Sequence, residues 1–305
     1  MPDKFVSGFV SILGRPNVGK STLLNSLVGA KLAIVTATPQ TTRTLIQGVL
    51  NLDGAQIVFL DTPGIHEPDS AFNRRMMENV RSALQERDLL VFVADALKPF
   101  GPADQAALEH VRAARTPAVL ALNKIDRLKD KSLLLPLIEQ YKAQHEFADY
   151  LPISALTGDG LDQLRRAIVS RLPAGPSYFP SEHLTDQPER FLAAELIREK
   201  LMLETREEVP HALAVMVEHW EEKPKLTRIS ATIYVERDGQ KAIVIGAAGS
   251  RLKSVGTAAR LELEGLSGKR VFLELFVKVR PHWRDNPRML DALDWRSMSG
   301  GAVAE

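Results

Sequence analysis

Short apolar runs alternate with helix-period stretches through the first half of the chain. The runs are Phe9–Leu13, Leu45–Leu50, Gln56–Leu60, Leu89–Ala94, Ala118–Leu122 and Tyr150–Ile153. Between them lie helical patterns near Lys20–Val28, Asn73–Glu86, Ala103–Arg115, Ser132–Gln144 and Leu161–Arg171. Apolar strands separated by helices predict a doubly wound α/β sheet, with ligands at the carboxyl ends of the strands. After Leu172 the pattern changes. Pro173, Pro176, Pro180 and Pro188 fall within a short polar stretch, the composition of a linker. Beyond it, Phe191–Glu204 carries Leu192, Leu196 and Ile197 at helical spacing. Ala212–His219 and Ile229–Val235 read as strands, the second alternating Ile229, Ala231, Ile233 and Val235 on one face. Ser250–Glu264 reads as a helix and Val271–Val279 as a strand. The order helix, strand, strand, helix, strand describes a small α+β domain. The pattern therefore predicts a first domain over 1–174, a linker over 175–190, a second domain over 191–296 and a fraying tail over 297–305.

A length of 305 residues agrees with two domains. Hydrophobic residues make up 45% and charged residues 25%, which excludes a disordered or collagen-like chain. Lys plus Arg is 39 against 38 for Asp plus Glu, so net charge announces no nucleic-acid binder, although a local basic patch remains open. With no cysteine, a disulfide scaffold, a thiolate metal site and a cysteine nucleophile are excluded. No apolar run approaches the ~18 residues of a membrane helix, and Met1-Pro2-Asp3-Lys4 does not begin a signal peptide. The expectation is a soluble, cytoplasmic protein.

The chemistry begins at the end of the first strand. Phe9–Leu13 runs into Gly14-Arg15-Pro16-Asn17-Val18-Gly19-Lys20-Ser21 and then a helix that takes in Thr22. This is G-x-x-x-x-G-K-S in its strand–loop–helix setting. The glycines let backbone N–H groups ring a phosphate, and the helix adds its positive dipole end. Lys20 can reach the β and γ oxygens, and Ser21 offers a hydroxyl to Mg²⁺. Gln56–Leu60 ends in Asp61-Thr62-Pro63-Gly64. An Asp at that strand end can hold Mg²⁺ through water, and Gly64 leaves room beside the γ-phosphate.

Ala118–Leu122 ends in Asn123-Lys124-Ile125-Asp126. The Asp126 carboxylate can accept from both N1–H and the 2-amino group of guanine. Adenine lacks that edge and would leave the carboxylate unpaired. Ser154-Ala155-Leu156, after the last strand of the sheet, can offer a backbone N–H to the guanine oxygen. In this order the motifs separate a GTPase from an ATPase.

With these motifs in sequence, residues 1–172 resemble a translation-factor-type GTPase domain. Thr38-Pro39-Gln40-Thr41-Thr42-Arg43 is similar to the first switch of the Era and TrmE branch. That resemblance maps the switch threonine, a Mg²⁺ ligand, onto Thr42, with Thr41 the competing choice. The glutamine that orients the attacking water in Ras-like enzymes is here Ile65, which makes no hydrogen bond. Arg43 is the nearest basic residue, but sequence does not aim it. Water positioning and charge neutralisation must come from elsewhere. In the branch this chain resembles, a phosphate-loop asparagine helps hold K⁺ against the phosphates. It maps to Asn17, whose other reading is only to shape the loop. The resemblance thus implies catalytic roles for Lys20, Thr42, Gly64 and Asn17.

In the second domain, Ala242-Ile243-Val244-Ile245 leads into Gly246-Ala247-Ala248-Gly249 and then Ser250-Arg251-Leu252-Lys253. The glycines permit a tight turn between helices where a nucleic-acid backbone can come close, with Arg251 and Lys253 beside it. This resembles the G-x-x-G loop of a type II KH domain, which clamps about four nucleotides of a single strand. A second basic group contains Lys278, Arg280, His282, Trp283, Arg284 and Arg288. Trp283 either stacks on a base or is partly buried.

A phosphate-loop GTPase followed by a type II KH domain closely resembles the Era family of bacterial GTPases over nearly the whole chain. That resemblance implies GTP and GDP as ligands, Mg²⁺ with K⁺ as cofactors, and a monomer that binds near the 3′ end of 16S rRNA during small ribosomal subunit assembly. It also implies loose peripheral association with the membrane, for which the sequence offers no lipid anchor or basic amphipathic helix. The alternative is an RNA-binding scaffold whose nucleotide is structural and hardly turned over.

Overall fold

The structure, a computed structural model, describes residues 5–39, 41–64, 70–85 and 87–295. Gln40 and Ile65, both named above, lie outside the described residues, as does the 297–305 tail. The chain divides into two compact units. The first comprises residues up to Ala33, 42–69 and 73–186. The second comprises Ile34–Thr41, Ser70–Phe72 and the chain from Gln187 onward.

The first unit alternates strands and helices: β1 (Val6–Leu13), α1 (Lys20–Val28), β2 (Ile46–Leu52), β3 (Ala55–Asp61), α2 (Ala71–Leu84), β4 (Leu89–Asp95), α3 (Pro102–Ala114), β5 (Ala118–Asn123), α4 (Leu134–Gln144), β6 (Tyr150–Pro152) and α5 (Leu161–Val169). The sheet order is β2-β3-β1-β4-β5-β6, parallel except for β2 against β3. Every residue of β3, β4 and β5 is buried. That explains why they read as unbroken apolar runs rather than alternating ones. The parallel arrangement brings Gly14, Asp61 and Asn123 to the carboxyl ends of three inner strands, on one end of the sheet.

The expected 175–190 linker is redrawn. Residues up to Asp186 group with the first unit, and Glu189 already opens a helix. The reason is Gln56, fully buried in β3. Its carboxamide accepts from the N–H groups of Tyr178 (2.7 Å) and Phe179 (3.0 Å) and donates to Phe179 O (2.9 Å). A buried amide needs such partners. Further along, Val49 N–H donates to Leu184 O (2.8 Å), so this stretch satisfies part of the edge strand β2.

In the second unit the chain forms α6 (Glu189–Glu204), α7 (Val209–Ala212), β7 (Ala214–Lys223), β8 (Leu226–Val235), α8 (Asp238–Ile245), α9 (Ser250–Ser267), β9 (Arg270–Val279) and α10 (Pro287–Leu293). The sheet order is β7-β8-β9, with β7–β8 antiparallel and β8–β9 parallel. Ile229, Ala231, Ile233 and Val235 pack with residues of α6 and α9, as their alternation predicts. The order is α-α-β-β-α-α-β-α, which adds α7, α8 and α10 to the helix, strand, strand, helix, strand pattern. Helix α8, implied by the turn between helices at Gly246–Gly249, shows no periodic stripe of its own because only Gln240 and Val244 of its eight residues are buried.

Trp283 is decided between the two readings the sequence leaves open for it. It is fully buried, packed with Ala214, Tyr234, Met289 and Leu290 and edge-on to Phe72 at 5.5 Å. Its indole N–H donates to Ala212 O (2.9 Å). A tryptophan with its ring in a core and its one donor satisfied does not stack on a base. Among the described residues no helix is long and apolar enough to cross a membrane.

Candidate nucleotide site and nucleic-acid interface

The phosphate loop has a backbone that side chains would obstruct. Gly14 has φ +146°, and a Cβ there would lie 2.3 Å from Val93 O. A Cβ on Gly19 (φ +100°) would lie 2.4 Å from the Asn123 amide nitrogen. Asn17 itself takes φ +64°, a left-handed position that asparagine tolerates. Helix α1 begins at Lys20 with no side-chain cap, so its first N–H groups face the loop. Lys20 is buried, and its Nζ donates to Gly14 O (2.9 Å) and Arg15 O (3.1 Å). Burial lowers its pKa to about 8, against the attraction of Asp61. The Arg15 side chain turns away, onto Asp104 (3.0 Å), so Arg15 can enter the site only through its backbone.

Three oxygens converge beside this loop. Ser21 Oγ donates to Asp61 Oδ2 (2.6 Å) and lies 2.7 Å from Thr42 Oγ1. Thr42 Oγ1 is 3.3 Å from the same carboxylate oxygen. The other oxygen, Asp61 Oδ1, is buried with no hydrogen-bond partner. Burial pushes the Asp61 carboxyl up to about 6, opposed by Lys20 and by the two hydroxyls. An orphaned carboxylate oxygen beside two hydroxyls fits a hard divalent cation, whose charge offsets the cost of burying the anion. The choice between the two switch threonines is now readable. Thr41 Oγ1 donates to Thr38 O (2.7 Å) and meets Thr36 Oγ1 (2.7 Å), inside its own segment. Of the two, only Thr42 reaches Ser21 and Asp61.

Thr62, expected at the nucleotide, instead donates to Ile12 O (2.9 Å), tying β3 to β1. Gly64 approaches the loop so closely that a Cβ would lie 2.8 Å from the Pro16 ring.

The base-selecting motif is assembled by a buried amide. Asn123 donates to Val18 O (2.8 Å) and accepts from Ala155 N–H (2.8 Å). It therefore joins the phosphate loop to the Ser154–Leu156 loop. The Ala155 and Ser154 N–H groups are engaged here, the second with Asp159 O (2.8 Å). Leu156 projects its side chain outward. Asp126 is exposed, and its Oδ1 accepts from Ser154 Oγ (2.7 Å), which aims the carboxylate. Lys124 Nζ reaches Asn17 O (2.7 Å) and Asp95 Oδ2 (2.9 Å). Sequence reading passed over Asp95, yet its place at the carboxyl end of β4 was a usable signal.

In the second unit, α8 turns into α9 through Gly246 (φ +74°), Ala247, Ala248 (φ +49°) and Gly249 (φ +77°). Ala247, Ala248 and Ser250 are exposed, and α9 begins without a side-chain cap. Its first N–H groups and Lys253 thus face one turn of chain. The Arg251 guanidinium is occupied with Ile243 O. Between α9 and β9 lies a groove of about 390 Å³, floored by Leu252, Gly256, Leu273 and Leu275 and edged by Lys253, Thr257 and Arg260. Most of these residues carry no motif, so sequence reading missed them. Part of the second basic group is engaged within the second unit, while Lys278, Arg280, His282 and Arg288 stay exposed. Arg284 forks onto Glu236 (3.2 and 2.7 Å), Lys278 pairs with Glu218 (3.6 Å), and Arg280 lies against Met289 Sδ (3.7 Å). Trp283, fully buried, leaves the expected RNA surface, and Arg284 is held in place by Glu236.

The two units are thus a P-loop nucleotide-binding domain and a KH fold carried on one chain. Comparisons with known proteins agree. The family described as 50S ribosome-binding GTPase matches residues 9–124, and the KH domain family matches residues 208–284. GTPase Era of Geobacter metallireducens is 50% identical over 293 residues, covering 95% of this chain and 98% of that protein. GTPase Era of Syntrophus aciditrophicus is 49% identical, covering 94% of each. Among solved structures, an Aquifex aeolicus Era variant bound to GDP.AlF4- matches at 41% identity and TM-score 0.92, covering 95% of this chain and 99% of that one. A structure of Era in complex with MgGDPNP and nucleotides 1506–1542 of 16S ribosomal RNA matches with the same identity, TM-score and coverage. The chain belongs to the Era family of GTPases.

Proposed function

We propose that this chain is a GTP-hydrolysing switch whose KH unit holds single-stranded RNA near the 3′ end of 16S rRNA during small-subunit assembly. The observation that carries the GTPase reading is the meeting of Ser21, Thr42 and the half-satisfied Asp61 beside Lys20. The RNA reading is supported by the exposed G-x-x-G turn at the start of α9 and by the likeness to an Era structure holding 16S rRNA.

In this reading Ser21 and Thr42 would hold Mg²⁺, with Asp61 holding it through water. The ion would supply charge that offsets the build-up on the phosphate oxygens. Lys20, buried at the end of its stem, adds a fixed positive charge toward the β and γ oxygens. Gly64 lets its segment close on the phosphates without a side chain in the way. Asp126 chooses guanine. Ile65 offers no polar helper for water, and Asn17 would hold K⁺, which would supply part of the charge neutralisation. Turnover is then faster in K⁺ than in Na⁺ at matched ionic strength, by a factor of several. Replacing Asn17 abolishes the difference and leaves GDP affinity nearly intact. Equal rates in the two salts remove the ion from the mechanism.

The experiment that separates a switch from a scaffold is RNA titration in two nucleotide states. Coupling between sites is typically ~1–3 kcal/mol. RNA binding about tenfold tighter with a non-hydrolysable GTP analogue than with GDP is expected, and Thr42→Ala should erase it. Identical affinities, with single-turnover hydrolysis unmoved by RNA, favour the scaffold.

A further inference from the structure

Helix α1 opens at the phosphate loop, and its last turn is tied to the loop after β6. Ser26 lies in that turn, half-buried. A serine inside a helix usually points to water or donates to the carbonyl four residues back. Ser26 Oγ instead donates to the carbonyl of Ala155 (2.6 Å), 129 residues along the chain. A second tie runs beside it. Arg165 of α5 places Nη2 between the carbonyls of Ser26 (3.3 Å) and Leu27 (3.4 Å), at the end of α1 where carbonyls lack partners within the helix. All of these residues belong to the first unit.

The turn over residues 154–158 spends its backbone donors inside the fold, with one exception. Ser154 N–H goes to Asp159 O (2.8 Å) and Gly158 N–H to Ser154 O (2.9 Å). Ala155 N–H goes to Asn123 Oδ1 (2.8 Å) and Thr157 N–H to Ser154 Oγ (3.1 Å). Leu156 N–H has no acceptor among the described residues, and Leu156 is 77% exposed, so a ligand can reach it. This N–H belongs to the same peptide as the Ala155 carbonyl. A trans peptide is planar, with its C=O and N–H directed to opposite sides. Holding the carbonyl on Ser26 therefore fixes the direction of the Leu156 N–H. The same turn carries Ser154, whose Oγ aims the Asp126 carboxylate (2.7 Å). A guanine whose N1–H and 2-amino group meet that carboxylate carries its 6-oxygen next to N1, and that oxygen needs a donor.

We propose that Ser26 is a positioning residue for base selection: by holding the Ala155 carbonyl it presents the Leu156 N–H to the 6-oxygen of guanine. The inference rests on the reading of Asp126 as the group that takes N1–H and the 2-amino group. Adenine carries an amino donor at position 6, so the fixed N–H would face a second donor, and the turn rejects adenine by its own contact. Ser26 touches no nucleotide and acts only through the peptide between Ala155 and Leu156.

The test is equilibrium binding of GDP, IDP and 6-thio-GDP to the full chain, as the parent and as Ser26→Ala. IDP lacks the 2-amino group and keeps the 6-oxygen. 6-Thio-GDP keeps the 2-amino group and carries sulfur, a weak acceptor, at position 6. One neutral hydrogen bond is worth about three- to tenfold in affinity. We expect Ser26→Ala to weaken GDP and IDP alike by about that factor and 6-thio-GDP by less than about twofold, so the preference for oxygen over sulfur falls. Ser26→Thr keeps the hydroxyl and should restore the preference. Alanine is the better helix former, so α1 should persist in Ser26→Ala. A general loosening of the site would weaken all three ligands by one factor. That outcome, or no weakening of any of them, overturns the inference. Asp126→Ala, measured alongside, should erase the preference for GDP over IDP. If it leaves that preference intact, the reading of Asp126 falls, a separate result from the response of the oxygen-to-sulfur preference to Ser26→Ala.

Discussion

Replacing Asp126 with Asn should convert a guanine-nucleotide protein into a xanthine-nucleotide one. The carboxylate of Asp126 is exposed, and Ser154 Oγ donates to its Oδ1 at 2.7 Å, so its lone pairs are already aimed. Guanine presents two donors, N1–H and the 2-amino group, and a carboxylate accepts both. An Asn amide puts a donor where one acceptor stood, so one guanine contact becomes donor against donor. Xanthine carries a carbonyl at that position and accepts from the amide. Each hydrogen bond to a charged group is worth about 1.5–3 kcal/mol, and leaving a group unpaired costs a similar amount. The ratio of GTP to XTP affinity should therefore fall by about 10²–10⁴. The position is exposed, so the melting temperature should hardly move. Competition of GDP and XDP for the wild type and the variant checks it. Unchanged preference would show that some other group reads the base.

How much of this site was legible depends on how local its causes are. Gly14–Ser21 and Asn123–Asp126 are runs of consecutive residues whose backbone and side chains act where they stand. Each sits at the end of a strand that its own apolar run announced. Thr62 shows the limit. It belongs to the same D-T-P-G run as Asp61, but its hydroxyl is used by Ile12 O, 50 residues away in sequence. Trp283 stays open between stacking and burial in the sequence for the same reason. Its burial is made by Phe72, Tyr234 and Met289, and no feature of its own neighbourhood, which is basic and polar, reports them. The proline-rich stretch had linker composition. The buried amide of Gln56 nevertheless binds it to the first unit. Thr41 and Thr42 are chemically identical neighbours, and only the fold says which hydroxyl meets Ser21.

The largest loss of RNA binding should come from Ala247→Asp combined with Ala248→Asp, and its signature is that stability moves the other way. Both alanines are exposed in the turn before α9, which starts with no side-chain cap. Ala248 has φ +49°, where Asp is one of the better-tolerated residues. Carboxylates beside a helix N-terminus are favourable by about 0.3–1 kcal/mol. The doubly substituted protein should therefore melt no lower than the parent, or slightly higher. The same uncapped N–H groups are what a nucleic-acid phosphate would use. Two fixed negative charges now stand there, each opposing a phosphate by ~1 kcal/mol in water and ~4 kcal/mol at an effective dielectric near 20. RNA affinity should fall by at least about 10²-fold, and the fall should shrink as salt is raised, since the repulsion is screened. Nucleotide affinity should stay where it was, because the change lies in the second unit. Filter binding of a single-stranded 16S 3′-end fragment across a salt series, with a thermal melt of the same samples, reads both signs. Loss of RNA binding together with a lower melting temperature would point to a folding defect. Retained binding would move the contact from the turn to Lys278 and Arg280 at the end of β9.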